Sequence, residues 1–102
     1  MTSPEAQILT SAVDAASAEA RAVVGPKVRA AIADILGVAK FEVTDGASLT
    51  NDLGADSLDL VEIAIELEGQ FDVVLDDETV ERAASVKDFV DAVMTCLARR
   101  AS

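Results

Sequence analysis

Ser57 stands where the loop segment Leu53-Gly54-Ala55-Asp56 gives way to a helical apolar pattern. At such a junction a hydroxyl can cap the helix, attack as a nucleophile, or be esterified by another enzyme. As a nucleophile it cannot be activated by the usual route, because the 102 residues include no histidine to take its proton. Capping is what most serines at helix starts do, but the neighbouring Asp56 is an equally good cap. Esterification has a physical rationale of its own. Free backbone N–H groups and the helix dipole favour negative charge at an N-terminus, so a phosphodiester would be accommodated there. Modification by another enzyme therefore fits Ser57 better than chemistry of its own, and no catalytic residue is assigned.

The remaining chemistry-bearing residues have plainer readings. Cys96 is the single cysteine, which excludes an internal disulfide and suits a reducing compartment. It falls at the edge of a helical apolar face and reads as an inert packing residue. Asp76-Asp77-Glu78 reads as a helix-start charge cluster rather than a catalytic dyad. Alternating acids followed by glycine never occur in calcium-loop register, so no metal site is assigned.

Helices must position these groups. The segment Ser57–Phe71 places Leu60, Ile63, Ala64, Leu67 and Phe71 on one broad face, the core side. Leu58, Val61 and Ile65 fall nearly opposite, flanked by Asp59, Glu62 and Glu66. Two arrangements give such a second stripe: a central helix buried on both sides, or a partner-binding strip with acids around it for steering. The crowding of acids on that rim favours the strip. Upstream, residues 1–25 form an alanine-rich leader in which Ser3-Pro4-Glu5 reads as a helix start. Its apolar stripe (Ile8, Leu9, Val13, Ala16, Ala20, Val23, Val24) is weak, and it reads as an extension that is weakly helical or partly disordered. Gly25-Pro26 is expected to break the chain. A helix follows from Lys27 through Val28, Ala31, Ile32, Ile35 and Leu36, ended by Gly37. Residues 38–56 form a long connection, with Phe41, Val43 and Leu49 as expected core anchors. A short acidic helix is expected near Asp77–Ala83. Ser85-Val86-Lys87-Asp88 matches a capping box with Asp in place of Glu, opening a last helix that Arg99 and Arg100 complete. The fold class is all-α.

Net charge is −11, and its placement is informative. Residues 51–81 hold eleven of the nineteen acids and no base. Such a surface repels nucleic acid and steers basic partners. Mutual repulsion also predicts raised carboxyl pKa values in the folded state, and hence stability that falls as pH rises. No apolar run approaches the ~18 residues of a membrane span. The N-terminus lacks a signal-peptide pattern. A soluble, monomeric, cytoplasmic protein without membrane insertion is expected.

The run Asp52-Leu53-Gly54-Ala55-Asp56-Ser57-Leu58-Asp59, continuing through Val61-Glu62-Ile63 and Glu66-Leu67-Glu68 to Phe71, resembles the attachment motif of acyl carrier proteins. The resemblance extends over about residues 27–97. It implies a four-helix bundle of three longer helices and one short, with residues 1–25 as an extra segment and 26–102 as the carrier domain. It further implies that Ser57, between Asp56 and Leu58, bears 4′-phosphopantetheine derived from coenzyme A. The strip of Asp59, Val61, Glu62, Ile65 and Glu66 would then be read by a phosphopantetheinyl transferase and by synthases and acyltransferases. Asp before the serine is more like fatty-acid-type than peptidyl carriers. The implied role is carriage of acyl thioesters for fatty acid or specialised lipid synthesis such as lipid A. The alternatives are a polyketide-type carrier and an unmodified acidic interaction module. Three positions depart from the family pattern: the leader, Asp76 where proline is common, and Ala83-Ala84 where larger residues are usual beside the expected acyl pocket.

Overall fold

A computed structural model describes the backbone of residues 2–101 and the side chains of residues 18–100. Helix α1 spans Thr2–Leu36, a 3₁₀ turn follows at Lys40–Glu42, and then come α2 (Ser57–Phe71), α3 (Asp77–Arg82) and α4 (Val86–Ala101). Helices α1, α2 and α4 pack together, and α3 lies against α2. Among the described residues there is no strand, only one antiparallel bridge between Ser48 and Ser85. The all-α architecture with one short helix agrees with expectation. No helix among the described residues is long and apolar enough to cross a membrane.

The expected break at Gly25-Pro26 does not occur. Helix α1 runs through Pro26. Proline in a helix interior costs about 3 kcal/mol, through a lost hydrogen bond and a ring clash. Here its neighbours one half-turn either side, Val24 and Val28, are both buried in the core, while Pro26 itself is exposed. Burying each valine contributes about 1.5–3 kcal/mol, enough to hold the helix through the defect. The leader is thus continuous with the first core helix. An ion pair ties this part of α1 to α4: Arg21 Nη2 lies 2.6 Å from Asp91 Oδ1, and Lys87 Nζ lies 2.7 Å from Asp91 Oδ2. Burial disfavours the Asp91 charge, but hydrogen bonds from Lys87 and Arg21 outweigh it and lower its pKa. The side chains of Ile8, Leu9, Val13 and Ala16 lie outside the described residues.

Gly37 ends α1 as expected, at φ +67°, with Val38 N–H donating to Ala33 O at 3.1 Å. That 6→1 bond is a Schellman closure, which needs the left-handed residue that glycine supplies. The long connection then crosses the bundle. Val43 and Leu49 are fully buried anchors, but Phe41 is 83% exposed and anchors nothing. It sits in the middle of the 3₁₀ turn, whose three residues all face solvent, while Val43 just beyond takes the core position. The connection is fastened to the start of α4 by backbone bonds, Leu49 N–H to Ala84 O (2.9 Å) and Val86 N–H to Ala47 O (3.2 Å). At that start the expected capping box forms: Ser85 N–H donates to Asp88 Oδ2 (3.0 Å), and Asp88 N–H to Ser85 Oγ (3.4 Å).

The core is aliphatic, with Phe89 its largest fully buried side chain. Replacing Phe89 with Ala should cost about 3–5 kcal/mol through lost transfer energy and a cavity. Phe41→Ala should fall within the ±0.5 kcal/mol of ordinary surface changes. Urea unfolding of both variants checks this; a large loss at Phe41 would contradict its exposed position.

Candidate functional site

The head of α2 is built by a reciprocal cap. Asp56 Oδ1 accepts from Asp59 N–H at 2.8 Å, and Asp59 Oδ2 accepts from Asp56 N–H at 3.0 Å. Behind it, Ala55 N–H donates to Leu49 O at 2.8 Å, and Ala55 and Leu53 are buried, so the loop delivers Asp56 to a fixed place. Asp56 therefore does all of the capping. Ser57, the first helical residue, is exposed, and among the described residues its hydroxyl has no hydrogen-bond partner. The amides of Ser57 and Leu58 likewise meet no acceptor there, as the first N–H groups of a helix generally do not.

Ile63, Ala64 and Leu67 bury one face of α2, with Leu60 and Phe71 packed partly against the core. The opposite stripe is open: Leu58 is 64% exposed, Val61 47% and Ile65 61%. That excludes the arrangement in which α2 is buried on both sides. Val61 and Ile65 also form one wall of a groove of about 350 Å³ between α2 and α3, with Ala64, Glu68, Leu75, Asp77, Val80 and Glu81. Val61, Ala64, Ile65 and Glu68 follow Ser57 by four, seven, eight and eleven residues, so groove and serine share one stripe of α2.

The flanking acids separate into distinct roles. Asp59 is only half-exposed, because its carboxylate is engaged in the cap. Glu62 and Glu66 stay exposed, the latter accepting from Gln70 Nε2 at 2.9 Å. Asp76 caps α3 by accepting from Thr79 N–H at 2.7 Å. It takes over by a side chain what proline would do by ring constraint. Leu75 before this cap and Val80 four residues after it are both buried, the spacing of a hydrophobic staple. Ala83 and Ala84 do not sit beside this groove. Ala83 lines a separate cleft against α4 with Thr79, Arg82, Asp88 and Asp91, and Ala84 is exposed. Glu68, Leu75 and Val80 are groove residues outside the strip that the sequence pattern singles out. The Leu75–Asp76–Val80 spacing was the available signal.

Residues 26–93 match the protein family described as "Phosphopantetheine attachment site". The chain belongs to that family. Its members are carriers rather than catalysts, and the prosthetic group of such a domain is covalently attached 4′-phosphopantetheine. Such carriers work with phosphopantetheinyl transferases and acyl-processing enzymes. Among solved structures, the carrier resembles an apo doublet acyl carrier protein from prodigiosin biosynthesis, with a TM-score of 0.65 and 28% identity. The match covers 76% of this chain and 37% of that one. The residues present fit the group: an unengaged serine hydroxyl, two unpaired amides beside it for a phosphate, and an apolar-walled groove on the same stripe.

The crowding of acids in residues 51–81 predicts carboxyl pKa values raised across that segment. Asp76, inside that segment, goes the other way. Hydrogen bonds from the Thr79 side chain and backbone lower its pKa, with smaller help from Arg99 and Arg82. A carboxyl with a lowered folded-state pKa binds fewer protons in the native protein. Its stabilising effect is therefore present above about pH 4 and lost as pH falls through the folded-state value. In thermal melts, the difference between wild type and Asp76→Ala should be full near about pH 6 and close progressively below about pH 4. A difference unchanged down to about pH 2 would show that the charge of Asp76 contributes nothing to the cap.

Proposed function

We propose that this chain is an acyl carrier in which Ser57 bears the 4′-phosphopantetheine arm, with residues 26–102 as the carrier domain and 1–25 as its helical extension. The observation that carries the assignment is the division of labour at the head of α2. Asp56 satisfies the helix cap, leaving the adjacent Ser57 hydroxyl exposed and unbonded. The chain offers Ser57 no histidine to act as base, and the transferase takes its proton. The N-terminal amides of α2 favour the phosphate's charge. When bound, the arm supplies a terminal thiol that holds an acyl chain as a thioester. The walls Val61, Ala64, Ile65, Leu75 and Val80 bind the apolar part of that chain and exclude water from it.

Likeness to a carrier from prodigiosin biosynthesis supports a specialised pathway, in which the cargo is an unusual lipid acyl group or a polyketide-type chain. The protein acts as a monomer in a reducing cytoplasm. Its partners dock on the exposed strip of Leu58, Val61 and Ile65, guided by Glu62 and Glu66.

Intact-mass measurement after incubation with a phosphopantetheinyl transferase and coenzyme A should show one added arm on wild type and none on Ser57→Ala, with helical circular dichroism retained. A mass gain on Ser57→Ala would refute the assignment. Association with the transferase should slow on going to physiological salt, where the Debye length contracts to about 8 Å. Glu62→Lys should slow it as well. Rates insensitive to both changes would mean that the exposed acids serve solubility alone.

A further inference from the structure

The groove beside Ser57 has unequal walls. Helix α2 is rooted in the core from Leu60 to Phe71, but α3 has only six residues, too few for a helix to be stable on its own. One side chain of α2 reaches across to where α3 begins. Glu68 Oε2 accepts from Leu75 N–H at 2.8 Å, a half-buried bond spanning seven residues. The same residue's carbonyl accepts from Asp72 N–H and, at 3.3 Å, from Val73 N–H, closing α2 with Asp72 in the left-handed conformation at φ 54°. Glu68 thus fixes both ends of the α2–α3 connection. Leu75, held by this bond, is the staple residue that packs at the foot of α3, and both Leu75 and Glu68 line the groove. We propose that Glu68 is a positioning residue: by accepting from Leu75 N–H it sets the α3 wall against α2, and so determines how well the groove shelters a carried acyl chain. The shelter half of this inference rests on the carrier reading above.

The acceptor oxygen, not the negative charge alone, carries the argument, so two variants of the full chain distinguish them. Glu68→Ala removes the acceptor, whereas Glu68→Gln keeps an amide oxygen that can receive the same N–H. Amide hydrogen exchange is followed first, on the unmodified protein. Exchange at Leu75 and in α3 should quicken roughly tenfold or more in Glu68→Ala, as loss of a hydrogen bond to a charged group implies. Core amides such as Val93 should keep their protection. Each protein is then loaded from hexanoyl coenzyme A by the transferase. Thioester cleavage by hydroxylamine, read on the loaded fraction by intact mass, should be severalfold faster in Glu68→Ala. Glu68→Gln should restore most of both effects. Equal behaviour of the two variants, or an equal loss of protection at Val93, would overturn the proposal. So would quickened exchange at Leu75 with cleavage unchanged. A wild-type protein that takes no hexanoyl arm overturns the carrier reading instead. The hold of Glu68 on α3 is still judged by the exchange data, which need no arm.

Discussion

Ile63 and Leu67 of α2 are completely buried in one core with Val28 and Ile32 of α1 and Phe89, Val90 and Val93 of α4. This contact roots α2 by one face, and the other features of the functional end follow from it. A helix so held keeps its N-terminus in a constant place, which the long connection serves by burying Leu49, Leu53 and Ala55 beneath the cap. The unrooted face remains available, so Leu58, Val61 and Ile65 stay exposed although burying such side chains is worth about 1.5–3 kcal/mol each. This exposed apolar face is the one proposed above for partner docking. Had α2 been enclosed on both sides, the groove and the serine would have been lost together.

What could be read from the sequence was what depends on neighbours along the chain. The two faces of residues 57–71, the Asp56 cap, the Gly37 stop and the Ser85–Asp88 box are all local arrangements, and each forms as its spacing implies. The failures have more than one cause, tertiary packing first among them. Pro26 breaks helices by a local rule, but buried valines on either side override it. Phe41 is apolar enough for a core anchor, yet a three-residue turn places it outside, where no local pattern would put it. Asp76 looked like a missing proline and is a working cap. The groove was the least legible feature, because its second wall depends on where a six-residue helix is tied down. The bond that does so joins residues seven apart across a loop.

Electrostatics in the acidic segment are less uniform than the bare count of charges suggests. Asp56, Asp59, Glu68 and Asp76 each accept a backbone N–H, so their negative charge compensates unsatisfied donors at helix starts and at the α2–α3 connection. Bases that are distant in sequence also fold back onto the segment. Arg100 donates through Nη1 to Phe71 O (3.1 Å) and Asp72 O (2.8 Å), capping the negative end of α2 from the end of α4. That contact joins residues 28 and 29 apart, so it is invisible within the segment itself. Glu62 and Glu66 are left on the open face of α2 without such backbone duties, as are Asp77 and Glu81 on the α3 side of the groove.

The distribution of stability suits a carrier that must hold one end fixed and let another yield. Helices α1, α2 and α4 share the aliphatic core, and opening any of them exposes fully buried Ile, Leu, Val or Phe side chains. Helix α3 contributes one buried residue, Val80, and is otherwise held by a side-chain cap, a staple and the Glu68 bond. Contacts of this kind, few and partly exposed, open locally at far less cost than global unfolding. The Ser57 end lies wholly on the rooted element, whereas one wall of the groove lies on the weakly held one. Local opening of α3 therefore leaves the head of α2 undisturbed. Ala64 lines the groove from the rooted wall and Val80 from the weakly held one, so the two walls differ in how firmly they are fixed.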